Sequence, residues 1–313
     1  MSQAKAVLCI TLNPALDLTG SLENMTVGSV NNVTEANLHP AGKGVNVAKV
    51  LADLGAQVCV SGFLGKDNAA AFECLFEQSQ IRDEFIRVAG ETRTNVKMVE
   101  ASGQVTDLNF PGFSVDAADL LAFEQSLEQL CEQYSHVVFA GSLTKGIELS
   151  DFEAWINLAK SKGCTVLIDT SGAALNTAIA TAPNMVKPNQ DELEDWCGTA
   201  LNSIDKLKEK GQELADLGIE HVLISRGEHG SLWLNQNHWM QATPPSMNVV
   251  STVGAGDTFV ASFCWGLLNQ SSAKELLRFA SAMSSLAVSQ TNVGLPSQEA
   301  LDSVLQQTTI TQM

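Results

Sequence analysis

The sequence is short of positive charge. Its 313 residues include 18 Lys and Arg against 35 Asp and Glu, which gives a formal net charge of −17 at pH 7. A chain of this sign repels nucleic acid and anionic membranes, so we expect neither as a partner. The same shortage makes any Lys or Arg inside a motif informative, because it marks a place where an anion is bound.

Long apolar runs and paired cysteines are also missing. No stretch approaches the roughly 18 apolar residues that a membrane span needs. The first apolar run is interrupted by Asn13 and Pro14 and does not predict a secretory signal. The seven cysteines are odd in number and scattered, without a Cys-x-x-Cys pair, and the five histidines lack metal-ligand spacing. Free thiols in a reducing compartment are therefore predicted, and with them a cytoplasmic location.

Short apolar runs alternate with helical periodicity along the chain. Runs at 7–11, 136–140, 164–169 and 221–225 predict buried strands, and amphipathic segments separate them. Strands separated by helices predict parallel βαβ units, and we expect the chain to end in helices near 256–269, 272–289 and 297–306. The polar segments 18–38 and 94–110 alternate like exposed strands. We expect one single domain over 1–313, with these two segments forming a small β-sheet lid.

The segment Gly254-Ala255-Gly256-Asp257 opens an apolar helix. The first turn of a helix carries unpaired N–H groups and partial positive charge, and glycines let a phosphate approach them closely. A carboxylate in the same turn is suited to accept a hydroxyl proton during phosphoryl transfer. The alternative is a loop whose aspartate merely caps the helix.

Two further segments open helices in the same way. Gly42-Lys43-Gly44 precedes a helix with Asn46 in its first turn, which suits a sugar or its phosphate. It is not a P-loop, because Gly44 stands where Ser or Thr should bind magnesium. The alternative is a helix-start loop with a solvated lysine.

The third segment, 187–192, follows a strand and begins with Lys187-Pro188-Asn189. Asn189 and Glu192 are three residues apart and share a helix face, and their oxygens suit Mg²⁺, directly or through water. The alternative is a capping box made by the same two residues.

In this order on an alternating α/β chain, the three segments resemble the ribokinase-like (PfkB) family of sugar kinases over nearly the whole length. Other segments add to the likeness: Asn13-Pro14-Ala15-Leu16-Asp17, Gly141-Ser142-Leu143, and Ser225-Arg226-Gly227 with Gly230. Segments 11–17, 93–97, 106–112 and 287–294 most resemble the bacterial members that phosphorylate fructose 1-phosphate.

The resemblance implies a fold and a reaction. The fold is a three-layer α/β/α core with a mostly parallel central sheet and a small β-sheet lid. The reaction is transfer of the ATP γ-phosphate to the 6-hydroxyl of D-fructose 1-phosphate, giving fructose 1,6-bisphosphate, with Asp257 as base beside an anion hole at Gly254, Ala255 and Gly256. Two alternatives stay open: a kinase of the same family acting on fructose 6-phosphate or tagatose 6-phosphate, and a sensor on this fold without catalysis.

The resemblance also implies residue roles. The sugar hydroxyls are assigned to Asp17, Gly42, Asn46 and Ser142, and the phosphate already on the substrate to Lys43 and Arg93. The nucleotide is assigned to Lys187, Asn189, Ser225, Gly227, Gly230 and Asn292. Magnesium is assigned to Glu192 and Asn189 through water, and a monovalent cation such as K⁺ to the neighbourhood of Ser251 and Val253.

Relatives of this family often pair their lids, so a homodimer through 18–38 and 94–110 is expected. The chain also departs from the family pattern. Thr144-Lys145-Gly146 replaces a proline-containing turn, and Arg226 stands inside the nucleotide-side loop. We expect Arg226 and His229 to be ordinary turn residues.

Overall fold

The computed structural model describes residues 6–290 and 293–313 of the chain. The strands are β1 (Ala6–Thr11), β2 (Ala15–Leu22), β3 (Glu35–Ala41), β4 (Gln57–Gly65), β5 (Arg82–Val88), β6 (Thr94–Glu100), β7 (Val105–Leu108), β8 (His136–Ala140), β9 (Thr165–Asp169), β10 (Met185–Val186), β11 (His221–Ser225), β12 (Ser231–Asn235), β13 (His238–Thr243) and β14 (Thr309–Gln312). The helices are α1 (Lys43–Asp53), α2 (Ala70–Gln78), α3 (Ala117–Cys131), α4 (Leu149–Ser161), α5 (Gly172–Ala180), α6 (Gln190–Cys197), α7 (Ile204–Asp216), α8 (Ala255–Leu268), α9 (Ala273–Ala287) and α10 (Gln298–Gln307).

The main sheet is mostly parallel. Its strands lie in the order β14-β13-β12-β11-β10-β9-β8-β1-β4-β5. From β5 to β11 neighbouring strands are parallel, with Val7 of β1 opposite Val58 of β4 on one side and His136 of β8 on the other. The strands β12, β13 and β14 extend the sheet in antiparallel pairs. The predicted α/β architecture with a mostly parallel sheet is confirmed.

Helices cover both faces of this sheet, and the central strand shows why. Every residue of β1 is buried, and alternate side chains enter opposite cores: Val7 and Cys9 one, Leu8 and Ile10 the other. Near-continuous apolar sequence is typical of parallel strands that are covered on both faces. The first core is completed by α1, α2, α8, α9 and α10, and the second by α3 to α7.

A second, smaller sheet stands apart from the core. Its strands lie in the order β3-β2-β6-β7, so the two polar segments of the sequence do share one sheet. Asp17 on β2 lies between His39 of β3 and Asn95 of β6. The chain passes from β1 into β2 through a short connection that contains Asn13 and Pro14, so the small sheet begins at the carboxyl end of β1.

The end of the chain differs from the sequence-based expectation. The three terminal helices form, but α10 is followed by β14, which pairs with β13. The residues of β14 are Thr, Ile, Thr and Gln, and only Ile310 is apolar. So short and polar a segment carries almost no periodic signal, and its pairing with β13 depends on a tertiary contact.

Within residues 6–290 and 293–313, no helix has both the length and the apolar character required to cross a membrane.

Candidate active site

The candidate site lies at the carboxyl edge of the main sheet. Lys187 follows β10, Ser142 follows β8, and Asp169 and Ser225 are the last residues of β9 and β11. Open α/β sheets bind ligands at this edge, because the carboxyl ends of parallel strands and the amino ends of the following helices meet there. Here the edge opens into a cleft of about 1370 Å³.

Most of the predicted site residues line this one cleft. Those predicted to bind the sugar phosphate are Asp17, Gly42, Lys43, Asn46, Arg93 and Ser142; those predicted for the nucleotide and magnesium are Lys187, Asn189, Glu192, Ser225, Gly227 and Gly230; the remaining ones are Val253, Gly254, Ala255, Gly256 and Asp257. Ser251 does not line the cleft, and its hydroxyl accepts from the Val253 N–H at 3.2 Å. Asn292 lies outside the described residues.

Asp257 sits in the first turn of α8 and is not its cap. The N-cap is Gly254, whose left-handed φ of 79° suits glycine, and where a Cβ would come within 2.5 Å of the Val293 side chain. The Asp257 carboxylate instead accepts a 2.7 Å hydrogen bond from Asn46 Nδ2 on α1. The alternative reading of Asp257 as an ordinary capping residue is therefore wrong.

The surroundings of Asp257 make it a stronger base than an exposed aspartate. Burial, together with the negative charge of Asp169, raises its pKa to about 6, against the opposing effects of Asn46, Lys43 and Lys187. A carboxylate with a pKa just below neutral is still ionised at neutral pH and accepts a proton more readily than a free aspartate does.

Asp169 is a site residue that the sequence analysis missed. Its Oδ1 lies 3.2 Å from Lys43 Nζ and 3.3 Å from Lys187 Nζ, and its side chain is 1% exposed. Burial favours its neutral form, but the two ammonium groups outweigh burial and lower the pKa of Asp169. One buried carboxylate thus fixes two lysines. A charged residue at the end of an apolar strand run was the available signal.

The two lysines differ in exposure and lie near the start of α8. Lys43 is 38% exposed, whereas Lys187 is 5% exposed. A Cβ placed on Gly256 would lie 3.6 Å from Lys187 Nζ, so this ammonium sits against the glycine loop. Burial lowers the pKa of Lys43, but Asp169, Asp257 and Glu192 more than offset it, so Lys43 stays charged. Lys43 is ion-paired, not simply solvated.

On the small sheet, Asp17 is held by its neighbours on β6. Its Oδ1 accepts from Asn95 Nδ2 at 3.2 Å, and its Oδ2 lies 2.5 Å from Lys97 Nζ. Both partners line the cleft with it. The ion pair with Asp17 places a further cation, Lys97, on this side of the cleft.

Arg93 is tied into the connection between the core and the small sheet. Nε donates to Pro14 O, Nη1 to Phe110 O and Nη2 to Asn13 O at 3.1 to 3.4 Å. A guanidinium has five N–H donors, so these contacts orient it without using all of them. Nearby, Asn13 Nδ2 donates to Ser142 Oγ at 3.1 Å and links the two strand ends.

Helix α6 begins with a capping box. Asn189 Oδ1 accepts from the Glu192 N–H at 2.7 Å, and Glu192 Oε2 accepts from the Asn189 N–H at 2.9 Å. Asn189 and Glu192 therefore do form the capping box that the sequence offered as an alternative. The capping box uses Glu192 Oε2, and Glu192 Oε1 takes no part in it. Glu192 lines the cleft, and its negative charge helps to raise the pKa of Lys43.

Thr144 and Lys145, where the sequence differs from the family pattern, do not line the cleft. Thr144 is buried and its hydroxyl donates to Phe113 O at 2.6 Å, while Lys145 is exposed. Lys145 pairs with Ser114 as an isolated bridge. These residues fix the loop after β8 to the segment at 113–115.

The sequence profile described as "pfkB family carbohydrate kinase" matches residues 9–300. The chain belongs to the pfkB family of carbohydrate kinases. The predicted family, its kinase activity and its fold are confirmed by this match and by the relatives. Members of the family use ATP.

The relatives are similar over nearly their full length. A 1-phosphofructokinase of Vibrio cholerae is 51% identical, with 97% of this chain and 96% of the relative covered. A 1-phosphofructokinase of Haemophilus influenzae is 46% identical, with 98% of each chain covered.

Solved structures of phosphofructokinase-2 from Escherichia coli are similar in fold. The complex with substrates and products has a TM-score of 0.88 and 27% identity, with 97% of this chain and 98% of that chain covered. The same enzyme has been solved in complex with potassium, and in a tetrameric inhibited form, each with a TM-score of 0.88.

Proposed function

We propose that this chain is an ATP-dependent 1-phosphofructokinase, which transfers the γ-phosphate to the 6-hydroxyl of D-fructose 1-phosphate to give fructose 1,6-bisphosphate. The observation that carries the proposal is the arrangement around Asp257. A buried carboxylate, oriented by Asn46, lies at the amino end of α8 beside Lys43 and Lys187. The identity to relatives named 1-phosphofructokinase supports the choice of substrate.

The proposed chemistry needs a base, an anion hole and fixed cations. Asp257 accepts the proton of the attacking hydroxyl. The N–H groups at Gly254, Ala255 and Gly256, at the start of α8, receive the negative charge that develops on the transferred group, and for this the Ala255 N–H exchanges its long 3.4 Å hydrogen bond to Thr252 O for one to the phosphate. Lys187 supports the same charge, and Asp169 keeps this ammonium in position. A preorganised arrangement of this kind needs little movement during the reaction.

Substrate binding is proposed on the sugar side. Asp17 and Asn46 bind hydroxyls, with Gly42 and Ser142 bordering the same space, and Lys43 and Arg93 hold the phosphate already present on the sugar. Lys97 joins them, because its ion pair with Asp17 keeps a cation at the small sheet. The small sheet acts as a lid over the bound sugar, in one domain that spans the chain.

Mg²⁺ is proposed on the nucleotide side of the cleft, held by the protein through water molecules. Within the described residues, no group of three or more His, Cys, Asp and Glu could hold a metal by itself. The capping box commits Asn189 Oδ1 and Glu192 Oε2, which leaves Glu192 Oε1 to receive a water of the ion. Mg²⁺ keeps several waters in such sites and neutralises phosphate charge when bound.

A monovalent cation is proposed near Ser251 and Val253, before α8. The support is the fold shared with the Escherichia coli phosphofructokinase-2 that was solved with potassium. Dependence of kcat on K⁺ at constant ionic strength, measured against Na⁺ and tetramethylammonium, tests this proposal; equal rates in all three salts would overturn it.

A homodimer through the small sheet is proposed from its exposed apolar side chains. Leu38, Leu108 and Phe110 are 45% to 55% exposed, and a small sheet with an open apolar face is marginal alone. Light scattering at micromolar concentration should give a dimer, and Leu38→Asp should give a monomer. A monomeric unmutated chain would rule the dimer out, and a tetramer would show a further contact.

The substrate assignment is tested by comparing kcat/KM for three sugars. With saturating Mg-ATP, we expect fructose 1-phosphate to exceed fructose 6-phosphate and tagatose 6-phosphate by at least about tenfold, which is about 1.4 kcal/mol in transition-state binding. A higher kcat/KM for either other sugar would move the enzyme to another substrate of the same family. ADP release without sugar phosphorylation would reject the kinase assignment.

A further inference from the structure

Arg226 occupies the start of the nucleotide-side loop. It follows β11 directly and precedes a short turn at Gly227–His229. The loop closes on itself through its backbone: Arg226 N donates to Gly230 O at 2.9 Å, and His229 N donates to Arg226 O at 3.1 Å. The backbone therefore fixes where the Arg226 side chain begins and makes no use of its guanidinium.

Arg226 is half-buried, and two of its three guanidinium nitrogens are buried without a partner. Nε and Nη1 of Arg226 are both inaccessible to water, and neither has a hydrogen-bond partner in 6–290 or 293–313. By contrast, Lys187 is paired with Asp169 and Lys97 with Asp17 in the same cleft. Leaving buried N–H donors of a charged group unpaired is costly, and in a residue that also lines a cleft it favours a ligand that supplies the partner. This differs from the ordinary turn residue expected from the sequence.

The position of Arg226 suggests what the partner is. Arg226 lines the same cleft as Asn189, Ser225 and Gly230, and Ser225 pairs with Asn189 in an isolated bridge. In a chain of net charge −17, a fixed cation also offsets the repulsion of a polyphosphate.

We propose that Arg226 is a further nucleotide-binding residue, whose guanidinium turns toward the cleft when a nucleotide is bound and donates hydrogen bonds to phosphate oxygens that ATP and ADP share. The proposal rests on the proposed function, in which ATP is the phosphoryl donor. A contact made equally with ATP, ADP and the transition state lowers KM for ATP without changing kcat. Arg226 is thus a determinant of nucleotide affinity.

The test compares Arg226→Gln and Arg226→Lys with a matched control, Arg278→Gln. Arg278 on α9 also has a buried, unpartnered Nε, but it does not line the cleft. Titration calorimetry measures binding of ADP and of adenosine to each protein, and steady-state kinetics give kcat and KM for ATP and the sugar. Thermal unfolding without nucleotide shows that each variant is folded.

We expect Arg226→Gln to weaken ADP binding about ten- to a hundredfold, as loss of a charge-assisted hydrogen bond does. KM for ATP should rise in parallel, kcat should change by less than about twofold, and adenosine binding should be unchanged. Arg226→Lys should recover part of the affinity, and Arg278→Gln should behave as the unmutated chain.

Equal ADP binding by Arg226→Gln and the unmutated chain would overturn the proposal. So would an equal loss for ADP and adenosine, since that would indicate contact with the base or ribose. Failure of the unmutated chain to bind any adenine nucleotide would instead reject the proposed function, and the two failures are thereby told apart.

Discussion

Replacing Asp257 by Asn should stabilise the fold while it removes the base. Burial and the charge of Asp169 raise the Asp257 pKa from 3.8 to about 6, which means that the folded protein disfavours the ionised carboxylate. The Asn side chain removes that charge and retains an oxygen that accepts from Asn46 Nδ2. Replacing a catalytic group that destabilises the folded state commonly raises stability and lowers activity.

The sign and size of the change in the free energy of unfolding follow from the folded and unfolded pKa values of Asp257. Above about pH 6 the carboxylate is ionised in both folded and unfolded chains, and the folded state carries the full cost of about 3 kcal/mol at about pH 7. As the pH falls below the folded pKa, the folded state takes up a proton before the unfolded state does. The cost therefore shrinks to about 1 kcal/mol at about pH 4.5 and vanishes below the unfolded pKa.

Urea unfolding of the ligand-free protein at these two pH values measures the effect. Asp257→Asn should exceed the unmutated chain by about 2–3 kcal/mol near pH 7 and by about 1 kcal/mol near pH 4.5. The control is Asp205→Asn, an exposed first-turn aspartate of α7, which should lose about 0.3–1 kcal/mol of helix-dipole stabilisation near pH 7. If Asp257→Asn were less stable than the unmutated chain near pH 7, the origin assigned to its raised pKa would be wrong.

Two other substitutions test the neighbours of Asp257. Asp169→Asn should move the acid limb of the kcat/KM profile to lower pH, because it removes a negative charge that raises the Asp257 pKa. The unmutated enzyme is measured on the same substrates, so the effect of substrate ionisation cancels. An acid limb that stays in place or moves to higher pH would contradict the electrostatic account. Asp17→Asn should lower kcat/KM for the sugar about tenfold or more while ADP affinity stays unchanged, and a parallel loss of ADP affinity would place Asp17 outside the sugar site.

Much of the fold was predictable because its signals are local. Apolar strand runs, helical periodicity and the glycine-bearing starts of α1 and α8 identified the core elements and their alternation. The β12–β13 hairpin was not identified, because its turn is made by Gln236 and Asn237, both at positive φ, without the glycine that usually marks such a turn. Strand β14 was missed because four mainly polar residues carry little periodicity.

The candidate site was predictable as a list of residues and much less as a set of contacts. Asn46 and Asp257 are 211 positions apart, and Lys43 and Asp169 are 126 apart. Nothing in the local pattern of either partner specifies such a pair, since it arises from the way the parallel strands bring their carboxyl ends together. Asp169 was therefore treated only as the end of a strand, and Arg226 only as a turn residue.

The role of Asp257 is tested most directly by the chemical step in Asp257→Asn. Rapid-quench measurement of a single turnover, with fructose 1-phosphate and saturating Mg-ATP, reports phosphoryl transfer apart from product release. We expect the rate of transfer to fall about 10²- to 10⁴-fold, which is the usual contribution of a general base, while calorimetry gives an ADP affinity within about twofold of the unmutated chain. A single-turnover rate close to that of the unmutated chain would contradict the assignment of Asp257 as the base.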